Sequence, residues 1–471
     1  MAPLTVVVVG ILCGAVLFAP RRVALLALFA GIFFLSQRGG IQLGGLRLHP
    51  GRFLELVAII RVLSRGELIF STFGIVDRAV VITYCFVTLA FVLRTVSGGD
   101  TGEIAVATPL SKTGELIDFM SMYFAFRGLV QNLDDIRWVL RKCLPMLVIM
   151  VCCLTVERLT LWNPLTALGS ASSVWIDDVD GGRVRCYGAF AHPALLGTFG
   201  AWMAVLYVAL VVSPGNRMAG VLGVALSIAV VTFANSGGPL TSLMAGMLGW
   251  TCWLLRSRMR LVRTGIVLAF VLLALVMRQP IWYLPSKMSI LFGGSGWHRS
   301  YLMDQAIAHF GQWWLVGMEA ADTMSWFPYV ARSGGSADIT NLYVAFGIDG
   351  GIGALILLIW LLKVVFRRVG QGLRQLKLLE RSGDDQLLMW ALGCGVLTHA
   401  VNYISITYFD QTNAIWFFQL AAVAASAAGI ELSAASRPAV EVKQHELSKR
   451  KFWPARGMPH IHAANARVNK R

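Results

Sequence analysis

The sequence predicts an all-α fold, a polytopic bundle of 12 transmembrane helices with one large loop outside the membrane at 279–340. A thirteenth helix is expected if the short apolar run at 52–64 also spans. Only 14% of the residues are charged and 56% are hydrophobic, whereas about a quarter of a soluble domain is charged. The apolar runs are continuous rather than alternating, and such segments satisfy their backbone in lipid only as helices.

Each span is predicted from a run of about 17 or more apolar residues. The first run has no charged side chain before Arg21 and no convincing cleavage site, so it is read as a retained helix and not as a signal peptide. The run at 52–64 is shorter and fits a thirteenth span, a re-entrant segment or an interfacial helix. The predicted spans are 3–19, 22–37, 79–95, 114–130, 142–158, 192–213, 217–234, 238–255, 261–278, 341–364, 387–408 and 413–430.

Basic connections predict the orientation, because lysine and arginine concentrate in cytoplasmic loops. The strongest are 256–263, 363–381 and the SKRK of 448–451. This rule also explains the net charge of +16, so no nucleic-acid partner is expected. Residues 1–432 form the predicted transmembrane domain and 433–471 a basic, disordered cytoplasmic tail. The segments expected outside are 159–191, 279–340 and 409–412.

A group of polar residues falls in these outer segments, where the rule disfavours arginine: Arg183, Arg185, His192, His298, Arg299 and Asp338. Arginine offers a planar fork of donors that fits phosphate oxygens. The pattern favours a site for a lipid-linked diphosphate at head-group depth. The alternative is that Arg183 and Arg185 only extend from a helix end into the interface.

The segment ADITNLYVAFGIDGGIG opens the helix after the large loop. Asp338 is a candidate to accept a proton from an acceptor hydroxyl, and Thr340 and Asn341 are candidate substrate contacts. The alternative is a helix cap. The glycines of this segment are expected to let a backbone or a lipid chain approach closely.

The large loop is rich in tryptophan, and residues 299–310 have the apolar spacing of a helix lying at the membrane surface. A lid over the substrate and an aromatic anchor at the head groups are both compatible with it. The NSGGPL turn is read as a tight helix connection. No Walker motif, dinucleotide fingerprint or metal-ligand pattern is present, so neither a cofactor nor a metal is expected.

Four ordered motifs over residues 180–365 resemble the O-antigen ligase and polysaccharide polymerase family: RCYGAFAHPALLG, NSGGPL, WHRSYLMDQAIAHF with WWLVGME, and ITNLYVAFGIDGGIGAL. The resemblance implies a bacterial inner-membrane glycosyltransferase that moves glycan from undecaprenyl diphosphate on the periplasmic face. It implies Arg185 and Arg299 as diphosphate contacts, with Arg183 auxiliary and His192 and His298 beside them.

The chain departs from that family at two positions. It has Thr340-Asn341 where ligases have His-Asn, so Asp338 is the expected substitute for activating the acceptor, and it has Ser236-Gly237 where many members have Ser-Arg. The expected function is therefore a polymerase of exopolysaccharide or O-antigen repeats. The alternatives are a ligase that attaches finished glycan to a lipid A core or a protein and, ranked lower, a polysaccharide-related transporter or flippase. The expected partners are a lipid-linked oligosaccharide, membrane lipids and other polysaccharide assembly proteins.

Overall fold

A computed structural model describes residues 2–43, 46–97, 103–172, 175–177, 183–287, 296–327 and 338–435. Seven of its helices are long and apolar enough to cross a membrane. The prediction of a helical membrane protein is thereby confirmed. These seven segments are Ile75–Ser97, Leu133–Thr160, Pro193–Val212, Arg217–Ala234, Gly237–Val276, Leu342–Leu378 and Gln411–Ala435.

All the predicted apolar runs fall on helices. In chain order the α-helices are α1 (Pro3–Phe18), α2 (Arg21–Phe34), α3 (Pro50–Ser64), α4 (Ile75–Ser97), α5 (Glu103–Leu129), α6 (Leu133–Thr160), α7 (Pro193–Val212), α8 (Arg217–Ala234), α9 (Gly237–Thr251), α10 (Met259–Val276), α11 (Gly296–Ala308), α12 (Phe310–Trp313), α13 (Leu342–Leu378), α14 (Gly383–Asn402) and α15 (Gln411–Ala435). Short 3₁₀ segments lie at Phe70–Thr72, Pro164–Leu168, Cys252–Arg258, Ile281–Tyr283 and Ala320–Trp326.

Two small hairpins complete the described structure. Strand β1 (Ile41–Leu43) pairs antiparallel with β2 (Leu46–Leu48), and β3 (Trp175–Asp177) pairs antiparallel with β4 (Arg183–Arg185). In the second hairpin Arg183 is in register with Asp177 and Arg185 with Trp175. Residues 436–471, which hold nearly all of the predicted tail, lie outside the described residues.

Helix α3, the ambiguous run of the sequence, lies alongside α1 and α5. Near its start Leu54 contacts Gly31 of α2. Near its end the buried Arg61 donates from Nη1 to the carbonyl oxygens of Val16 and Ala19, both at 2.6 Å. The helix therefore runs from the end of the bundle where α2 finishes to the end where α1 finishes.

The centre of the bundle is formed by α7 and α15, which are buried along most of their length. Some of the buried polar side chains inside it are paired with each other across the helices. Trp202 of α7 donates to Gln419 of α15 at 2.7 Å, and Asn402 donates to Thr198 at the same distance. Helix α10 is the opposite case, because none of its residues is buried.

Helix α13 is broken one-quarter of the way along. Gly350 and Gly351 leave the helical conformation, and Gly351 has a φ of +70°, which only glycine adopts without strain. The predicted span at 341–364 is thus two helical pieces, and the second continues to Leu378.

The segment that follows α12 docks into this break. The N–H of Met318 donates to the carbonyl of Ile348 at 2.9 Å, and the N–H of Ile352 donates to that of Trp314 at 2.8 Å. Arg94 of α4 also donates to the Ile348 carbonyl at 2.9 Å. The Ile348 carbonyl and the Ile352 N–H at the break are therefore bonded to the large loop, which is the close backbone approach that the glycines predicted.

The described part of the large loop packs as a small helical layer. Helix α11 covers most of the predicted helix at 299–310, and its Leu302 is buried with Trp313 and Trp326 against the start of α13. Asp304 accepts from the indole N–H of Trp282 at 2.5 Å. Several aromatic residues in the described part of the loop therefore hold it together, while Trp297, Phe310 and Trp314 are exposed.

Candidate anion-binding site

The segment just before α7, residues 185–192, forms a rigid platform. Glu157 of α6 is buried and accepts the backbone N–H groups of Tyr187 at 2.8 Å and Gly188 at 3.0 Å. Gly188 has a φ of +56° and its carbonyl accepts from Asn163 at 2.7 Å. Gln411, at the start of α15, donates to the carbonyl of Ala189 at 2.9 Å. These buried hydrogen bonds hold the platform in place. The polar residues of the site lie at its two ends.

His192 lies at one end of the platform and caps α7. Its Nδ1 accepts the N–H of Ala194 at 3.1 Å. Burial lowers the pKa of His192 to about 4, so the imidazole is neutral near pH 7. A neutral imidazole whose Nδ1 is an acceptor carries its proton on Nε2 and donates from there. The cations that lower the pKa further are, in order of effect, Arg185, Arg38 and Arg299.

Arg299 comes from α11 and lies against the start of α9. Its Nη2 is 3.5 Å from the position that a Cβ on Gly238 would occupy, next to Ser405. Its Nε is buried and lacks a hydrogen-bond partner among the described residues. Burial and the charge of Arg185 lower the pKa of Arg299 to about 10, although Asp338 opposes this effect. Arg299 is therefore still protonated at neutral pH, although its surroundings disfavour the charge.

Arg38 is a third cation of the site, and its role was not predicted from the sequence. It follows α2, donates from Nη2 to the carbonyl of Ala191, and its guanidinium lies 5.1 Å from the ring centroid of Tyr187. An exposed arginine before a Gly-Gly pair is a weak pattern by itself. Only the folded chain shows that it stands beside His192.

Helix N-termini add to this positive field. Helices α7, α9 and α13 all begin at this end of the bundle, which we call the upper end. Gly197 packs on Pro239, which joins the first turns of α7 and α9, and the N–H of Leu342 in α13 donates to Tyr403 at 2.8 Å beside Ser405. Each N-terminus contributes about half a unit of positive charge within its first turn.

The residues before α13 divide into different roles. Asn341 is buried and its Oδ1 accepts the N–H groups of Tyr343 at 3.0 Å and Val344 at 3.2 Å, so the capping interpretation holds for it. Thr340 has a buried Oγ1 without a partner among the described residues. Asp338 is exposed, acts electrostatically on Arg299, and accepts through its backbone carbonyl from His298 at 3.1 Å.

Arg183 is placed differently from the other arginines. It is exposed at the end of β4 opposite Asp177, and it is not among the charges that shift the pKa of His192 or Arg299. The structure therefore brings together Arg38, Arg185, His192, Arg299 and Asp338, and leaves Arg183 at the margin.

The fold and this site define a helical membrane protein with a partly buried cluster of cations at one end of its bundle. Neither the family models nor the curated proteins contain a match to the chain. Within the described ranges, no three acidic, cysteine or histidine side chains are placed to hold a metal ion. The chemistry that this site offers is the binding of an anion by guanidinium groups and helix N-termini.

Proposed function

We propose that the protein is a polysaccharide polymerase of a bacterial inner membrane, which transfers glycan from undecaprenyl diphosphate to a sugar acceptor on the periplasmic face. The observation that carries the proposal is the meeting of Arg38, Arg185 and Arg299 at the upper end of an apolar bundle. Like charges are brought together at a cost, and a diphosphate anion would offset that cost. The resemblance of the surrounding motifs supports the same donor.

The upper end is proposed to face the periplasm, with α3 as the thirteenth crossing. Two strongly basic segments, 256–263 after α9 and 363–381 in the last part of α13 and just beyond it, lie at the opposite end of the bundle. Cytoplasmic loops carry this excess of lysine and arginine. If α3 crosses the membrane, α1 begins at the periplasmic end. Each later membrane-crossing helix then runs opposite to the one before it, which agrees with the placement of the basic segments.

The proposed reaction is a single displacement. The acceptor hydroxyl oxygen bonds to the anomeric carbon, and the bond from that carbon to the diphosphate oxygen breaks. The electron pair leaves with the diphosphate, whose negative charge grows in the transition state. Fixed guanidinium groups stabilise this growing charge more than the ground state, and so lower the barrier.

Further groups have proposed roles around the diphosphate. His192 is neutral and would donate from Nε2 to a phosphate or sugar oxygen without competing for a proton. Asp338, exposed beside Arg299, would accept the proton of the acceptor hydroxyl as the new bond forms. Thr340, with its buried unpartnered hydroxyl, is a candidate contact of the acceptor sugar.

The experiment replaces Arg185 or Arg299 in the native host by alanine and, separately, by lysine. Lysine keeps the charge but loses the planar fork, so it should restore only part of the activity. Arg278 is the matched control, because it is an exposed arginine after α10 and outside the cluster. The expected result is the accumulation of single repeat units on the lipid carrier in the alanine variants and normal polymer in Arg278→Ala.

Other outcomes separate the alternative functions. Long polymer left on the carrier would indicate a ligase that attaches finished glycan. Repeat units held on the cytoplasmic face would indicate a flippase. Normal polymer in every arginine variant would overturn the anion-binding role.

A further inference from the structure

A second site lies in the membrane domain, in a cleft between α2, α3, α5 and α15. The cleft has a cavity volume of about 30 Å³, which is room for about one water molecule. Its lining is apolar except for two side chains, Gln37 and Glu55. Glu55 lies one turn into α3 and is only 8% exposed.

Glu55 lacks the partners that a buried carboxylate requires. Its Oε2 is buried and has no hydrogen-bond partner among the described residues, and the ion pairs found in those residues do not include it. An unpaired carboxylate in an apolar setting costs several kcal/mol, and such a group takes up a proton instead. The burial of Glu55 therefore favours the neutral acid.

The charged groups nearest to Glu55 do not supply the missing partner. Arg52, one turn earlier on α3, donates from Nε to Asp118 of α5 at 3.0 Å. Asp118 adds a negative charge near Glu55, which disfavours a second carboxylate, and the positive charge of Arg52 opposes this effect in part. His49 caps α3 and accepts the N–H of Arg52 at 3.2 Å, and the parts of α2 and α15 that line the cleft are apolar.

We propose that Glu55 is a proton-binding site of the membrane domain, placed in the cleft beside the ion pair of Arg52 and Asp118. A protonated carboxyl can donate, so the acid and Gln37 are the two groups that can hydrogen-bond inside the cleft. Intramembrane acids are functional candidates by default. Glu55 is not among the charges that act on His192 or Arg299, so this inference is independent of the proposed glycan transfer.

The first test is infrared difference spectroscopy of the full chain in lipid nanodiscs at neutral pH. Wild-type protein is expected to show the carbonyl stretch of a protonated carboxylic acid, sensitive to deuterium exchange. Glu55→Gln should lose this band, while the control Asp322→Asn, a change at an exposed acid of the large loop, should keep it. Superimposable spectra of wild type and Glu55→Gln, or loss of the band in the control alone, would overturn the proposal.

The second test uses a hydrophobic carbodiimide on the wild-type protein and does not depend on the folding of a variant. The acid gives its proton to a carbodiimide nitrogen, and its oxygen bonds to the central carbon as one C=N bond becomes single. Away from water the adduct rearranges to a stable N-acylurea, which retains the mass of the reagent. The peptide with Glu55 should carry this mass, and labelling should fall at least ~10-fold as the pH is raised until the acid ionises. Labelling of Asp118 in place of Glu55, or labelling that does not change with pH, would contradict the assignment.

Discussion

Gly317 gives a sharp test of how the large loop docks onto the bundle. Its φ is +86°, and a Cβ built on it would lie 2.1 Å from the carbonyl oxygen of Ile348. Contacts below 3.0 Å require something to move, and here the obstacle is main chain. Gly317→Ala is therefore expected to displace the segment from the break in α13.

The magnitude follows from two parts. Left-handed backbone costs a residue with a Cβ about 1–2 kcal/mol. Displacement also breaks the bond from the Met318 N–H to Ile348, which is worth about 1 kcal/mol. The sum of about 2–3 kcal/mol corresponds to a loss of roughly 30- to 100-fold in protection against hydrogen exchange, since 1.4 kcal/mol is a factor of about ten.

The assay is hydrogen–deuterium exchange read by mass spectrometry over the segment 314–319 in detergent or nanodiscs. Gly311 is the matched control, because it lies in α12 with no atom within 4 Å of its Cβ position. Gly311→Ala should leave exchange unchanged or slower, since alanine favours helix. Equal exchange in wild type and Gly317→Ala would refute the docking of this segment.

Three further predictions concern the site. Arg299 is half-buried and repelled by the like charge of Arg185, so Arg299→Ala should leave the melting temperature in detergent unchanged or higher. The control Arg278→Ala should leave it unchanged. A large fall in Arg299→Ala would indicate a structural ion pair instead. Asn341→Ala should cost about 1 kcal/mol and raise exchange in the first turn of α13, whereas Asn341→Asp keeps an acceptor and should not. The pKa of His192 is lowered from 6.5 to about 4, so the unfolded chain binds a proton that the folded protein does not, and stability should fall as the pH drops between these values. His192→Asn retains a cap and should lessen that fall, and an identical pH profile would contradict it.

The helices were predictable because a membrane span appears in the sequence as a long apolar run. Helix α3 was ambiguous because Arg52, Glu55 and Arg61 interrupt its apolar pattern. The partners of the two arginines are seen only in the fold: Arg52 lies beside Asp118, and Arg61 lies against the end of α1. Local hydropathy carries no information about such distant partners.

The site was predictable in part for a similar reason. Arg185 and Arg299 stand in outer segments, where a basic residue is unusual, and the structure places them within electrostatic range of each other. Arg38 was missed because it is far along the chain from the motifs and has no pattern of its own. The glycines of α13 signalled close approach, yet which backbone approaches them depends on the tertiary fold.

The three guanidinium groups come from residues 38, 185 and 299, and the platform beside them is secured by Gln411, near the start of the last helix. During synthesis these positions leave the ribosome far apart in time. The three charges are complete once residue 299 has been made, and a nascent chain that ends before α15 still lacks the bond that holds the platform. The site is therefore complete only when α15 is in place. A truncation that removes α15 should for this reason be more damaging than its length suggests.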